Sequence, residues 1–195
     1  MNTFPRLYKR DQKAQQVAPL PSPLLTLFTP LTNNNSRCPL TLPFSFVSNF
    51  FAFFPNEDGK PGGTLVTPPL DKYTILAGCT RDSILTLARN ELGSIGVKVE
   101  ERPVSLKELA KCKEAFCCGT GASITPVGSV AYRETATDAS CETVYRFGDS
   151  GRAGEMTNKL YKMLYDIQYG TDKKLEKKYA DWIMVVPPVV KEKTV

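Results

Sequence analysis

Two short stretches carry residue types suited to gripping an anion: Leu76-Ala77-Gly78-Cys79-Thr80-Arg81 and Gly119-Thr120-Gly121. In the first, a glycine-containing loop runs into a helix that the sequence predicts to begin at about Thr80. Helix starts leave backbone N–H groups without partners, and the helix dipole adds positive potential there. Thr80 offers a hydroxyl besides its amide and is also a fitting N-cap. The second stretch closes an apolar run, Ala115–Cys118, with residues small enough for backbone amides to approach a ligand. Taken singly, a capped helix and a tight turn are commonplace, and most such places bind only water. Their chemistry is positioning by amides and hydroxyls, not bond-breaking.

Other chemistries find little support. The chain has no histidine, and its six cysteines (38, 79, 112, 117, 118 and 141) form no C-x-x-C pair, so no metal site is expected. Reduced thiols are the default for a domain of this size, and of the adjacent Cys117 and Cys118 one is expected in the core and the other facing a cavity. The net charge of +5 is dispersed apart from the Lys173–Lys178 run, read as a solvated helix face, so no nucleic-acid partner is expected. No stretch reaches the roughly 18 apolar residues of a membrane span. The basic N-terminus makes a weak transit peptide, which leaves an intracellular location, cytoplasmic or organellar, open.

The elements that must position the two stretches follow from hydrophobic periodicity. Asn49–Phe54 reads as an aromatic strand, a turn PNEDGKPGG follows, and Thr64–Val66 reads as the returning strand. After Thr67-Pro68-Pro69, Tyr73–Leu76 leads into the loop, and Ile84, Leu85, Leu87, Ala88 and Leu92 mark the buried stripe of the helix. Val97 and Val99 alternate with charge on a strand, and Ser105 with Glu108 forms a capping box before Leu106, Leu109 and Ala110. A buried strand Ala115–Cys118, the glycine turn and a strand Ile124–Val130 come next. Met156, Leu160, Met163, Leu164 and Ile167 line an amphipathic helix over Glu155–Tyr169, Gly170 ends it, and Tyr179–Val186 is a candidate last strand. Alternating strands and helices imply an α/β or α+β domain with a mixed sheet.

Residues 1–48 have a different grammar. Pro19, Pro21, Pro23, Pro30, Pro39 and Pro43 recur too closely for helices between them, and an irregular leader is expected. Pro39–Ser48 (PLTLPFSFVS) has the composition that a pyrimidine-rich DNA tract encodes, so our hypothesis is an intron end read as protein. Transcripts that join upstream of Asn49 and omit these codons would support it; continuous peptide coverage through Ser48 would overturn it.

Set side by side, VTPPL, LAGCTRDSILTLAR, VEERPVS, GTGASITPVGSV and KLYKMLYDIQYG resemble the C-terminal half of branched-chain amino acid aminotransferases, the fold-type IV pyridoxal-phosphate enzymes. The resemblance runs from Asn49 to Gly170 and more loosely through Trp182. It implies that residues 49–195 are part of the large domain of that fold, with the leader 1–48 outside it. It also implies a cofactor, pyridoxal 5'-phosphate, with Leu76 against its ring and Cys79, Thr80 and Thr120 on its phosphate. The amides of Thr120 and Gly121 would meet the substrate carboxylate. Amino acid and 2-oxo acid substrates follow by the same resemblance, as does a homodimer in intact relatives.

Three positions depart from the family pattern: Ala77 for proline, Cys79 for isoleucine or valine, and Gly121 for alanine. Ser123 and Thr125 stand where some members carry a paired-cysteine motif. The larger departure is the Schiff-base lysine, which the family carries beside a GGNYA-type motif; neither that motif nor the acid expected before Asn49 occurs in these residues. Lys9, Lys13 and Lys72 lack the context to replace the lysine. The expectation is therefore an aminotransferase-like chain without activity of its own. The alternatives are a non-catalytic module forming mixed dimers with a full-length aminotransferase, and an enzyme of the same fold with other amino acid substrates.

Overall fold

The computed structural model describes residues 7–8 and 26–29 (backbone only), 48–70, 75–121, 123–133, 142–148 and 152–184. Its elements, in chain order, are β1 (Leu7–Tyr8), β2 (Thr26–Thr29), β3 (Asn49–Pro55), β4 (Gly63–Thr67), α1 (Cys79–Leu87), β5 (Val97–Glu101), α2 (Leu106–Leu109), β6 (Glu114–Gly119), β7 (Ser123–Val127), β8 (Ser129–Arg133), β9 (Glu142–Arg146), α3 (Glu155–Tyr169), α4 (Lys173–Lys178) and β10 (Ile183–Met184). They fall into two compact units, Ala18–Tyr161 and a second made of Met1–Val17 with Lys162–Val195. The architecture is mixed helix and strand, as the alternation of elements predicts.

In the first unit, a five-stranded sheet has the order β5-β4-β3-β6-β7. The pairs β4–β3, β3–β6 and β6–β7 are antiparallel, and β5 lies parallel to β4. The parallel pair needs a crossover, which α1 supplies. The aromatic run of β3 shows no apolar–polar alternation because both faces of the strand are covered. Phe50 and Ala52 enter a cluster with Val66, Ala115, Cys117 and Val127 on one side. On the other, Phe51 stacks on its register partner Phe116, with ring centroids 5.0 Å apart. Double coverage also buries both Cys117 and Cys118, so neither faces a cavity as one was expected to.

The stripe Ile84, Leu85, Leu87, Ala88 and Leu92 is buried as predicted. Past Leu87 the helix continues as a π-helical turn, Ala88–Leu92, and a 3-10 turn at Gly93–Ile95. The Ser105–Glu108 capping box forms on both sides, although Ala110 is exposed and ends α2 instead of packing. The expected single strand Ile124–Val130 is two strands. The chain leaves the five-stranded sheet after Val127 and, past Gly128, enters a three-stranded sheet of order β2-β8-β9. There, β2 within residues 1–48 pairs parallel with β8 over Thr26–Thr29.

In the second unit, α3 ends at Gly170, which is left-handed at φ 66°. Asp172 caps α4 through the amides of Lys174 and Leu175, and all four lysines of α4 are exposed. Tyr179–Met184 is a 3-10 turn, Ala180–Trp182, followed by the two-residue β10, which pairs with β1; the remainder of the expected last strand lies outside the described residues. No helix among the described residues is long and apolar enough to cross a membrane.

Candidate anion-binding site

The loop before α1 is folded by a buried asparagine. Asn49, the first residue of β3 and 4% exposed, donates its side-chain amide to the Leu76 carbonyl at 2.8 Å. The Gly78 N–H donates to the same oxygen at 2.9 Å, so both lone pairs of that carbonyl are used. Gly78 is the N-cap of α1, with extended backbone at φ −73°, ψ 136° and no side-chain cap. A Cβ on Gly78 would stand 2.5 Å from Asn49 Oδ1, so only glycine lets the asparagine in. This moves the cap from the expected Thr80, which becomes the second residue of the helix. The first helical hydrogen bond runs from the Asp82 N–H to the Gly78 carbonyl. The amides of Cys79, Thr80 and Arg81 therefore lie outside the helical ladder.

Arg81 fixes the direction of this helix start. Its side chain is 3% exposed, and Nη2 donates to the Pro68 carbonyl and to Glu101 Oε2, both at 2.8 Å. Arg89 holds the other oxygen of Glu101 at 2.7 Å. The hydrogen bonds from Arg89 and then Arg81 hold the Glu101 carboxyl below its ordinary range. Arg81 Nε is buried without a hydrogen-bond partner. Beside it, burial pushes the Cys118 thiol up to about 12, which the Arg81 charge only partly offsets.

The second turn leaves β6 at Gly119 and returns at Ser123, its register partner. Thr120 and Gly121 are exposed at the tip. Among the described residues of this hairpin Ser123 is left-handed, at φ 53°, and Gly121 is not. A three-residue hairpin loop commonly requires one such residue, which glycine would accept without strain.

The two stretches meet through Asn49. Its side chain holds Leu76, and its backbone lies in register with Cys118, directly before Gly119 and Thr120. Leu76, Cys79 and Thr80 thus share one loop and helix start, Thr120 and Gly121 share one hairpin tip, and a single strand end carries both. Leu76 and Cys79 are exposed and Thr80 is half-buried. The sequence reading passed over Asn49 and Arg81. A polar residue opening an otherwise aromatic strand, and a cation on the first turn of an apolar helix, were the available signals. Lys9, Lys13 and Lys72 lie outside the described residues, and among the described residues no cluster of three metal-ligating side chains occurs.

Comparison with known proteins agrees with the resemblance. Residues 47–130 match the family model for amino-transferase class IV. The chain is 37% identical over 125 residues to the mitochondrial branched-chain-amino-acid aminotransferase 1 of Arabidopsis thaliana, covering 64% of this chain and 28% of that protein. It is 39% identical over 128 residues to the cytosolic enzyme of that name from Caenorhabditis elegans, covering 63% of this chain and 29% of that one. Among solved structures, the branched-chain amino acid aminotransferase of Thermobaculum terrenum in its PLP-form is 33% identical, with a TM-score of 0.48, covering 67% of this chain and 35% of that one. The chain spans less than a third of the length of the two curated relatives. Over residues 47–130 the chain is thus similar to amino-transferase class IV, and the relatives it matches are branched-chain-amino-acid aminotransferases.

Proposed function

We propose that this chain supplies the phosphate-holding part of a pyridoxal-phosphate-dependent branched-chain aminotransferase and does not complete amino transfer alone. The observation that carries the first half is the Asn49 bridge, which sets two amide-rich, exposed turns on one strand end. The site suits a phosphate: three amides outside the helical ladder of α1, the Thr80 hydroxyl and the exposed Thr120 present donors, and no carboxylate belongs to either turn. Cys79 and Thr80 hold the phosphate with Thr120, Leu76 offers its exposed side chain to the ring, and the Thr120–Gly121 amides take a substrate carboxylate. Bound there, pyridoxal phosphate would supply the electron sink for cleavage at an amino acid's α-carbon. Proton transfer at that carbon needs a lysine, and the family's lysine motif does not occur in these residues. Leucine, isoleucine or valine as donor and 2-oxoglutarate as acceptor are the substrates this reading assigns to the assembled enzyme.

The test is phosphorus NMR of pyridoxal phosphate titrated with the purified chain, run beside a leucine–2-oxoglutarate amino transfer assay. A saturable phosphate shift, competed by inorganic phosphate and weakened in Thr80→Ala and Thr120→Ala, is expected, with no turnover. An unshifted phosphate removes the binding half of the proposal, and turnover by the chain alone removes the other half. Should the chain instead co-purify with a full-length aminotransferase and change that enzyme's turnover, the mixed-dimer alternative takes its place.

A further inference from the structure

The opposite end of the same sheet carries a second, differently built cleft, independent of the phosphate reading. It has a volume of about 380 Å³ and lies between the β3–β4 hairpin, the residues entering β6 and the first turn of α3. β6 separates it from the Gly119 turn, because Lys113 and Glu114 stand at the start of the strand and Gly119 at its end. At a rise of roughly 3.3 Å per residue, that is about 17 Å.

Its floor is apolar: Phe53 and Met156, 5% and 7% exposed, with Ile95 on the rim. Three lysines are among the residues that line it, Lys60, Lys113 and Lys159. Two acidic residues, Glu114 and Glu155, line it too, but Glu114 is already committed. It is buried and accepts the α3 amides of Met156 at 3.2 Å and Thr157 at 3.0 Å, together with the Thr157 hydroxyl. The positive end of α3 therefore balances its charge. Lys60 pairs with Asp58 at 2.7 Å, which leaves Lys113 and Lys159 against one remaining carboxylate, that of Glu155, a helical turn before Lys159. One positive charge is left over between Lys113 and Lys159, above an apolar floor.

We infer that this cleft binds a small organic monoanion with an apolar body, the carboxylate meeting Lys113 and Lys159 and the body lying on Phe53 and Met156. Its size falls in the range of small-molecule sites, which combine apolar walls with a few polar groups that fix orientation.

The test uses hydrocinnamate as probe and its neutral analogue, hydrocinnamyl alcohol, with methyl NMR of Ile95 and Met156 in the full chain. Saturable shifts of both methyl groups with hydrocinnamate are expected, and binding of the alcohol about tenfold weaker or less. The double variant Lys113→Gln, Lys159→Gln, whose side chains are solvent-facing, should lose about tenfold in hydrocinnamate affinity. Equal binding of acid and alcohol overturns the inference without recourse to a variant. So does the absence of saturable shifts at millimolar probe, or unchanged affinity in a folded double variant.

Discussion

Asn49 and Leu76, 27 positions apart, are joined by one partly buried hydrogen bond of 2.8 Å from side-chain amide to carbonyl. Through it the first residue of the central aromatic strand dictates the path of the loop that starts α1. Replacing Asn49 with alanine removes that donor and leaves a hole beside Gly78. The Leu76 carbonyl keeps the Gly78 N–H and is not orphaned, so the cost is the net worth of one hydrogen bond, about 0.5–1.5 kcal/mol. Urea unfolding should show a lower midpoint with an unchanged slope, and the Gly78 amide should exchange faster. A variant as stable and as protected as the parent would show that the bond is incidental.

Gly78→Ala attacks the same contact from the other side. The new Cβ would stand 2.5 Å from Asn49 Oδ1, closer than real contacts allow, so either the asparagine or the loop must move. A loss of about 1–3 kcal/mol is expected. In the Asn49→Ala background the clash partner is gone. The double variant should therefore lose less than the sum of the two singles, which a double-mutant cycle in urea measures.

Much of this was legible in the sequence, and what was not has physical causes. The stripe Ile84 to Leu92, the Ser105–Glu108 box and the buried β6 could be read because each depends on local spacing. The cap of α1 could not. Thr80 is the better cap by residue type, but Gly78 takes the position because a residue 29 places earlier occupies the space a side chain would need. The split after Val127 was likewise hidden, since β7 and β8 differ in the sheets they join and not in their residue pattern. Cys117 and Cys118 were misread because alternation cannot report that helices and strands cover both faces.

The hairpin tip offers a stabilising change. Ser123 sits at φ 53°, where an L-residue is strained, whereas a Cβ on Gly121 would meet open space and its φ is not positive. Ser123→Gly should relieve strain, and Gly121→Ala should stabilise by about 0.4–1 kcal/mol through the unfolded chain. Thermal melts of both variants check this; a destabilised Ser123→Gly would mean that the serine side chain contributes more than its backbone costs.

Thiol reactivity should divide sharply among the described cysteines. Burial pushes Cys112 and Cys118 up to about 12 and Cys117 to about 11, whereas Cys79 is exposed on the first turn of α1. Brief maleimide treatment of the native chain followed by peptide mapping should label Cys79 and spare Cys112, Cys117 and Cys118. Pyridoxal phosphate should slow labelling of Cys79 if its phosphate sits on that turn. Undiminished labelling at saturating cofactor would move the phosphate elsewhere.

The Arg89–Glu101–Arg81 cluster sets a pH dependence whose sign is fixed. Hydrogen bonds from Arg89 and Arg81 hold the Glu101 carboxyl below its ordinary 4.5 in the folded chain. A depressed folded value means that the unfolded state binds the proton more tightly. The contribution is thus present in full above the unfolded value and is lost as the pH falls through the folded one, below 4.5. Because the Glu101 side chain is a third exposed, solvent screening keeps the effect small, and salt should reduce it further. Glu101→Gln keeps the shape and removes the charge. It should lower stability at neutral pH, where Arg81 is left buried with fewer partners, and flatten the decline in urea midpoint on acidification. Parallel acid profiles for the variant and the parent would place the acid sensitivity in other carboxylates.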